Sequence, residues 1–213
     1  MTQNQRNYQK EMEKIVEGLQ GKRKSLLLHS CCAPCSSAVL EKLQEIFEIT
    51  VFFYNPNISE TGEYKKRVEE QKRLIEALNQ KIPECPIKVI EGEYEPEKFY
   101  EIARGLEKCP EGGERCFKCY ALRLERTAQM AKEGRYDFFT TTLTISPLKN
   151  AGKLNEIGEE MAKRYQTIFL PSDFKKKEGY KRSIELSKEH GLYRQNFCGC
   201  AFSKAESCKK QER

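Results

Sequence analysis

The chain has 213 residues, ten of them cysteine, with 38% hydrophobic and 33% charged side chains and a net charge of 38 − 32 = +6. That length supports one well-cored domain with a small appendage and is too short for two full ones. The apolar residues fall in periodic clusters, unlike those of a disordered chain, and no run approaches the ~18 apolar residues of a membrane span. The opening MTQNQRNYQKEMEKIVEGLQ has no apolar export segment, so a cytoplasmic protein with no membrane partner is expected.

Tyr8, Met12, Ile15, Val16 and Leu19 recur at helical spacing and predict an amphipathic helix over residues 6–20. Ser25-Leu26-Leu27-Leu28 reads as a buried strand that runs into His29-Ser30-Cys31-Cys32-Ala33-Pro34-Cys35, with a helix opening near Ser36. Ile49–Tyr54 is a second strand stopped by Asn55-Pro56-Asn57, and residues 63–79 form a strong helix. Ile87–Ile90 is a third strand. A helix near 96–106, a cysteine-bearing loop over 109–119 and a helix over 120–132 follow. Tyr136–Thr141 is a fourth strand, Asn150–Tyr165 a helix and Ile168–Leu170 a short fifth strand. This alternation predicts an α/β fold with a doubly wound, mostly parallel sheet. One domain is expected: a helical extension over 1–23, a core over 24–171 and a basic helical segment over 172–213. Ligands of such sheets sit beyond the strands' carboxyl ends, where the Cys31 loop belongs.

Ten cysteines fall below the density of a disulfide scaffold, and reducing conditions favour metal or redox chemistry. Three groups stand out: Cys31-Cys32-x-x-Cys35, Cys116-x-x-Cys119 and Cys198-Gly199-Cys200. Two of these supply four thiolates, enough for structural zinc or an iron–sulfur cube. Vicinal Cys31-Cys32 suits a cube, whose separate iron corners accept adjacent residues, better than a zinc knuckle. Cys198 and Cys200 read either as a strained redox pair or as further metal ligands. Cys85, Cys109 and Cys208 stand alone: Cys85 between prolines, Cys109 near enough to Cys116 for a spare ligand, Cys208 in a lysine-rich tail.

Together, His29-Ser30-Cys31-Cys32-Ala33-Pro34-Cys35, Phe53-Tyr54-Asn55-Pro56-Asn57-Ile58, Glu63-Tyr64-x-x-Arg67, Cys116-x-x-Cys119-Tyr120, Thr142-Leu143-x-x-Ser146-Pro147-x-Lys149 and Tyr193-x-Gln195-x-Phe197-Cys198-Gly199-Cys200 resemble the QueH-type epoxyqueuosine reductases over about residues 24–203. The resemblance implies a nucleotide-hydrolase or PP-loop type of sheet with Rossmann-like topology. It implies two-electron reduction of the epoxide of epoxyqueuosine in tRNA with a GUN anticodon, the last step of queuosine synthesis, without cobalamin. It also implies a [4Fe–4S] cluster on Cys31, Cys32, Cys116 and Cys119, and a redox-active disulfide pair at Cys198 and Cys200. An additional iron beside the cluster would draw on Cys35. An electron donor is needed, which the sequence does not identify.

Tyr54, Tyr120, Tyr193 and His29 are the candidate proton donors for the departing oxygen; a core imidazole is the plainer reading of His29. Arg67, Lys149 and Tyr193 are the expected substrate contacts. Lys65-Lys66-Arg67, Lys72-Arg73, Lys175-Lys176-Lys177 and Lys181-Arg182 read as solvated helix faces or as a track for the tRNA backbone. His190, before Gly191, reads as a capping or surface residue. Two other readings compete: a zinc-stabilised nucleic-acid-binding module, and a cluster-containing tRNA-thiolating enzyme. The latter calls for a glycine-rich pyrophosphate loop after the first strand, where this chain has His29-Ser30-Cys31-Cys32.

Overall fold

Leu26, Leu27, Leu28 and His29 have no exposed surface, which an apolar run achieves only in a central strand covered on both faces. In the computed structural model, which describes residues 6–211, these residues end β1 (Lys24–His29). The other strands are β2 (Phe47–Phe53), β3 (Lys88–Glu91) and β4 (Phe138–Thr141), and all pair in parallel in the order β3-β2-β1-β4. The helices are α1 (Tyr8–Gly18), α2 (Ala33–Leu43), α3 (Thr61–Lys81), α4 (Pro96–Ala103), α5 (Glu114–Glu133), α6 (Ala151–Tyr165), α7 (Gly179–Glu189) and α8 (Ala201–Gln211). The fold is the doubly wound α/β architecture expected from the sequence.

Alternation along β1 divides the core. Leu26 and Leu28 pack with Val51 and with Met12 of α1, Leu40 of α2, Leu74 of α3 and Leu186 of α7. Leu27 faces the opposite layer, with Phe52, Leu124 and Ala128 of α5 and Leu154 and Met161 of α6. The short, charged β3 forms one edge, with Lys88 and Glu91 exposed. The winding reverses between β1 and β4, so the crevice past their carboxyl ends is the topological switch point.

Three element boundaries differ from expectation. The fifth strand shrinks to one parallel bridge, Phe139 to Phe169, held by Phe139 N–H to Ile168 O at 2.9 Å and Leu170 N–H to Phe139 O at 2.8 Å. Pro171 has no N–H with which to extend that ladder. α2 begins at Ala33 rather than Ser36, because Pro34 fits the first helical turn and Ser36 N–H already reaches Cys32 O at 3.1 Å. α5 begins at Glu114, so Cys116 and Cys119 lie on a helix rather than in a loop. Gly113 is its N-cap, its carbonyl accepting from Cys116 N–H at 2.9 Å.

Gly158 of α6 touches the ring of Phe169, and a Cβ there would lie 2.5 Å from Cε2 and Cζ. Gly158→Ala is therefore expected to lower the urea midpoint with an unchanged slope. Overpacking costs about 1–3 kcal/mol, more than the roughly 1 kcal/mol alanine gains over glycine in a helix.

Candidate functional site

The turn after β1 is fixed before its thiols are considered. Ser30 N–H continues the β ladder to Phe52 O at 3.0 Å, and Asn55 Nδ2 donates to Ser30 O at 2.8 Å. The Ser30 and Ser36 hydroxyls both reach Gln71 Oε1 of α3 at 2.7 Å. This buried network aims Cys31, Cys32 and Cys35 at one point, with their sulfurs all within 4.8 Å of one another. The Cys31 and Cys32 sulfurs are 3.7 Å apart. Hydrogen bonds from Cys32 and Cys35 hold the Cys31 thiol well below its ordinary value against the cost of burial, with help from Lys149 and Arg123. Facing that thiolate, Cys32 is pushed up to about 11 and Cys35 well above its usual range.

On α5, Cys116, Cys119, Tyr120 and Arg123 follow helical spacing, so one face presents all four. Cys116 and Tyr120 pack with Cys31 and Cys32, and Cys119 packs with Cys200, Phe99 and Phe202. Burial pushes the thiol of Cys119 up to about 11 and raises that of Cys116, which accepts from Gly112 N–H at 3.3 Å.

Cys198 and Cys200 reach the same place on a turn tied to the β2–α3 region. Arg67, 2% exposed, pairs with Glu63 at 2.6 Å and donates to Cys198 O at 3.1 Å and Phe197 O at 3.4 Å. Asn57 Nδ2 also donates to Cys198 O, and Ser59 N–H to Gly199 O. Gly199 is required: its φ is +110°, and a Cβ would lie 2.9 Å from Ile58 and 3.2 Å from Arg67. Both thiols are free, 3.5 Å apart, with Ser203 Oγ 3.1 Å from Cys198 and 3.4 Å from Cys200. Contact with Cys200 holds Cys198 well below its usual value despite burial, aided by Lys149, and Cys200 rises correspondingly.

Two adjoining hollows meet here. A cleft of about 270 Å³ is lined by Cys31, Cys35, Lys149, Arg194, Gln195 and Cys198 among others. A smaller one behind it is lined by Cys116, Cys119, Tyr120 and Cys200. Cys198, Lys149, Arg123 and Glu111 border both. Desolvation alone would lower Lys149, yet Cys31, Cys198, Cys35 and Tyr120 raise it above its ordinary value. Arg123, 3% exposed, is likewise raised against its burial by Cys119, Cys31 and Cys198. Neither cation forms a salt bridge with a carboxylate among the described residues. An all-sulfur donor set backed by buried Arg123 and half-buried Lys149 fits a soft metal or an anionic iron–sulfur centre.

The remaining expected residues divide. Tyr120 lines the inner hollow, and burial raises its phenol well above the usual value. Tyr54 is directed to Glu95 at 3.2 Å, and Tyr193 to Glu63 at 3.2 Å with Lys66 over its ring; neither lines either hollow. His29 is a core residue: Nδ1 meets Thr141 Oγ1 at 2.8 Å and Nε2 meets Tyr54 O at 3.1 Å. Burial lowers it to about 3, so it is neutral, with Nε2–H donating. Cys85, Cys109 and Cys208 line neither hollow. Of the basic runs, Lys175, Lys177, Lys181, Arg182, Lys72 and Arg73 are paired with acids. His190 is the C-cap of α7, and its carbonyl accepts from Arg73.

Arg123, Arg194 and Ser203 are among the site residues that escaped the sequence reading. Arg123 carried a signal, standing four residues after Cys119 on the same helix face. Ser203 carried none.

Among the described residues, no helix is long and apolar enough to cross a membrane. A family model described as epoxyqueuosine reductase QueH matches residues 26–206. The chain is 44% identical to the epoxyqueuosine reductase QueH of Staphylococcus epidermidis, over 92% of this chain and 84% of that one. It is 41% identical to the protein of that name from Streptococcus pyogenes, over 95% of this chain and 80% of that one. With the Thermotoga maritima protein it shares 37% identity over 87% of this chain and 93% of that one. A sulfur-lined crevice at the sheet's switch point and similarity along nearly the whole chain have one reading: the chain belongs to the QueH family of epoxyqueuosine reductases, which are oxidoreductases.

Proposed function

We propose that this chain removes the epoxide oxygen of epoxyqueuosine in tRNA bearing a GUN anticodon, with Cys31, Cys32, Cys116 and Cys119 holding a [4Fe–4S] cluster. The observation that carries this reading is the meeting of two cysteine groups at Lys149 and Arg123, which line both hollows with Cys198 between them. A single ion gathers its thiolates around one point, whereas a cube holds each at its own corner. The α5 pair lies outside the compact Cys31, Cys32 and Cys35 group, so in this reading its two thiols would meet corners of their own. Cys35, the third sulfur of that group, is the candidate ligand for an additional iron.

When bound, such a cluster supplies electrons one at a time. Removing the oxygen as water takes two electrons and two protons. Cys198 as thiolate and Cys200 as thiol supply both electrons and one proton if they become one disulfide, the second proton coming from solvent through a tyrosine, and an electron donor outside the chain then restores the reduced pair. Tyr120, at the inner hollow, is the tyrosine placed to give a proton to the departing oxygen. Lys149 favours the charged form of Cys31 and Cys198, and Arg123 that of Cys31. Arg67 lines the cleft as a substrate contact would and also positions the Cys198 turn through the carbonyls of Phe197 and Cys198. Arg194, at the cleft's rim, is placed for a phosphate.

The test is iron, zinc and acid-labile sulfide content of anaerobically purified protein, together with conversion of epoxyqueuosine tRNA followed by nucleoside mass spectrometry. The expected result is about four irons and four sulfides per chain, with a visible band that dithionite bleaches. A fifth iron without sulfide would mark the Cys35 site. One zinc, no sulfide and no conversion would replace this reading with a structural zinc module.

A further inference from the structure

We propose that Tyr180 and Leu148 form a stacking platform at the rim of the cleft, for the unpaired nucleotides that flank the one being reduced. The proposal rests on the tRNA reading above and adds the surface that holds the RNA.

Among the described residues only five large apolar side chains are exposed: Val89, Tyr100, Leu148, Ile168 and Tyr180. Two of the five line the same cleft. Leu148 is 71% exposed, in the loop before α6, beside exposed Pro147. Tyr180, in the first turn of α7, is also open to solvent, and its backbone is fixed by Ser183 Oγ donating to its carbonyl at 2.6 Å. Leaving both in water forgoes burial of apolar surface, which a partner seated on the rim would recover.

Charge restricts the kind of partner. Arg194 donates through one nitrogen to Ser187 Oγ at 3.0 Å and Ser183 O at 3.4 Å, which anchors it on α7 beside Tyr180. Like Lys149 and Arg123 it forms no salt bridge with a carboxylate among the described residues, whereas most of the surface basic runs do. Arg194 and Lys149 thus bring cations without a salt bridge to the same cleft as exposed Leu148 and Tyr180.

Size restricts it further. A cavity of about 270 Å³ falls just below the roughly 300–1,000 Å³ of drug-sized ligand pockets, so it suits a single nucleoside. With one nucleoside turned in toward Cys31, Cys35 and Cys198, its neighbours must cross the rim. A single-stranded loop presents free π-faces and phosphates together, matching Tyr180, Leu148 and Arg194. A duplex stem keeps its faces stacked internally and offers only the phosphates.

The experiment is fluorescence-anisotropy binding of an epoxyqueuosine-bearing anticodon stem-loop to the metal-loaded protein, with wild-type conversion measured in parallel. Tyr180→Ala is expected to raise Kd about ten-fold and Leu148→Ala about three-fold, with Tyr180→Phe staying near wild type. Ile168→Ala, equally apolar and exposed but off the cleft, is expected to leave Kd unchanged. Metal content and melting temperature confirm that each variant is intact. If Tyr180→Ala and Leu148→Ala bind like wild type while wild type converts the RNA, the platform is overturned and the tRNA reading stands. If wild type neither converts the stem-loop nor prefers it over an acidic peptide, the tRNA reading fails and the platform with it.

Discussion

Cys116→Ala is expected to yield a folded protein that has lost its iron and sulfide and, with them, epoxide reduction, by more than about 100-fold, the upper end of what outer-shell changes cost a metal site. The fold should survive because the side chain is only partly buried and contributes one sulfur to the layer around Tyr120 and Leu124. The α5 backbone does not depend on it: Gly113 caps that helix, and Arg115 ties the preceding turn down through the carbonyls of Leu106, Glu107 and Cys109. In the proposed ligand set the substitution would leave three thiols to hold the centre, beside Lys149 and Arg123 with less negative charge to face. Cys85→Ala is the control. That cysteine lies outside both hollows, with its carbonyl engaged by Gln44, and its loss should change neither metal nor turnover. Metal and sulfide analysis with circular dichroism checks both. Full metal content and activity in Cys116→Ala would remove the α5 pair from the ligand set.

How far the sequence led depends on whether the deciding contact was local. β1 was legible because three leucines in a row, bounded by lysine and by a cysteine turn, are unsuited to anything but a covered strand. The start of α5 was not. Cys116-x-x-Cys119 resembles a knuckle in a turn, whereas the caps that decide the matter are Gly113 and the absence of any breaker after it. Arg67 shows the other limit. Its sequence neighbours suggest a basic helix face open to RNA, but its guanidinium is held by Glu63 and by carbonyls 130 and 131 residues away. Arg182 likewise meets Glu41 from 141 residues away, and Lys177 meets Glu13. Charge runs read as free cations until the fold brings their acids to them, so the sequence overstated the surface available to RNA.

The second large effect separates electron supply from metal binding. Cys200→Ser is expected to keep the metal and the fold yet reduce turnover by more than about 100-fold, because a serine hydroxyl cannot form the disulfide that releases two electrons. The substitution is close to isosteric. The hydroxyl would sit where the sulfur now lies 3.4 Å from Ser203 Oγ, and the Gly199 turn stays anchored by Arg67, Asn57 and Ser59. Cys200 contributes no sulfur to the Cys31, Cys32 and Cys35 group, so iron content should not fall. Cys198, which keeps Lys149 beside it, should remain the more reactive thiol and be alkylated at neutral pH in the variant. Retained metal with lost turnover assigns the pair to electron transfer. Retained turnover within about two-fold of wild type would assign Cys200 to packing against Cys119 and Phe99, and the two electrons would then have to enter through the metal centre alone.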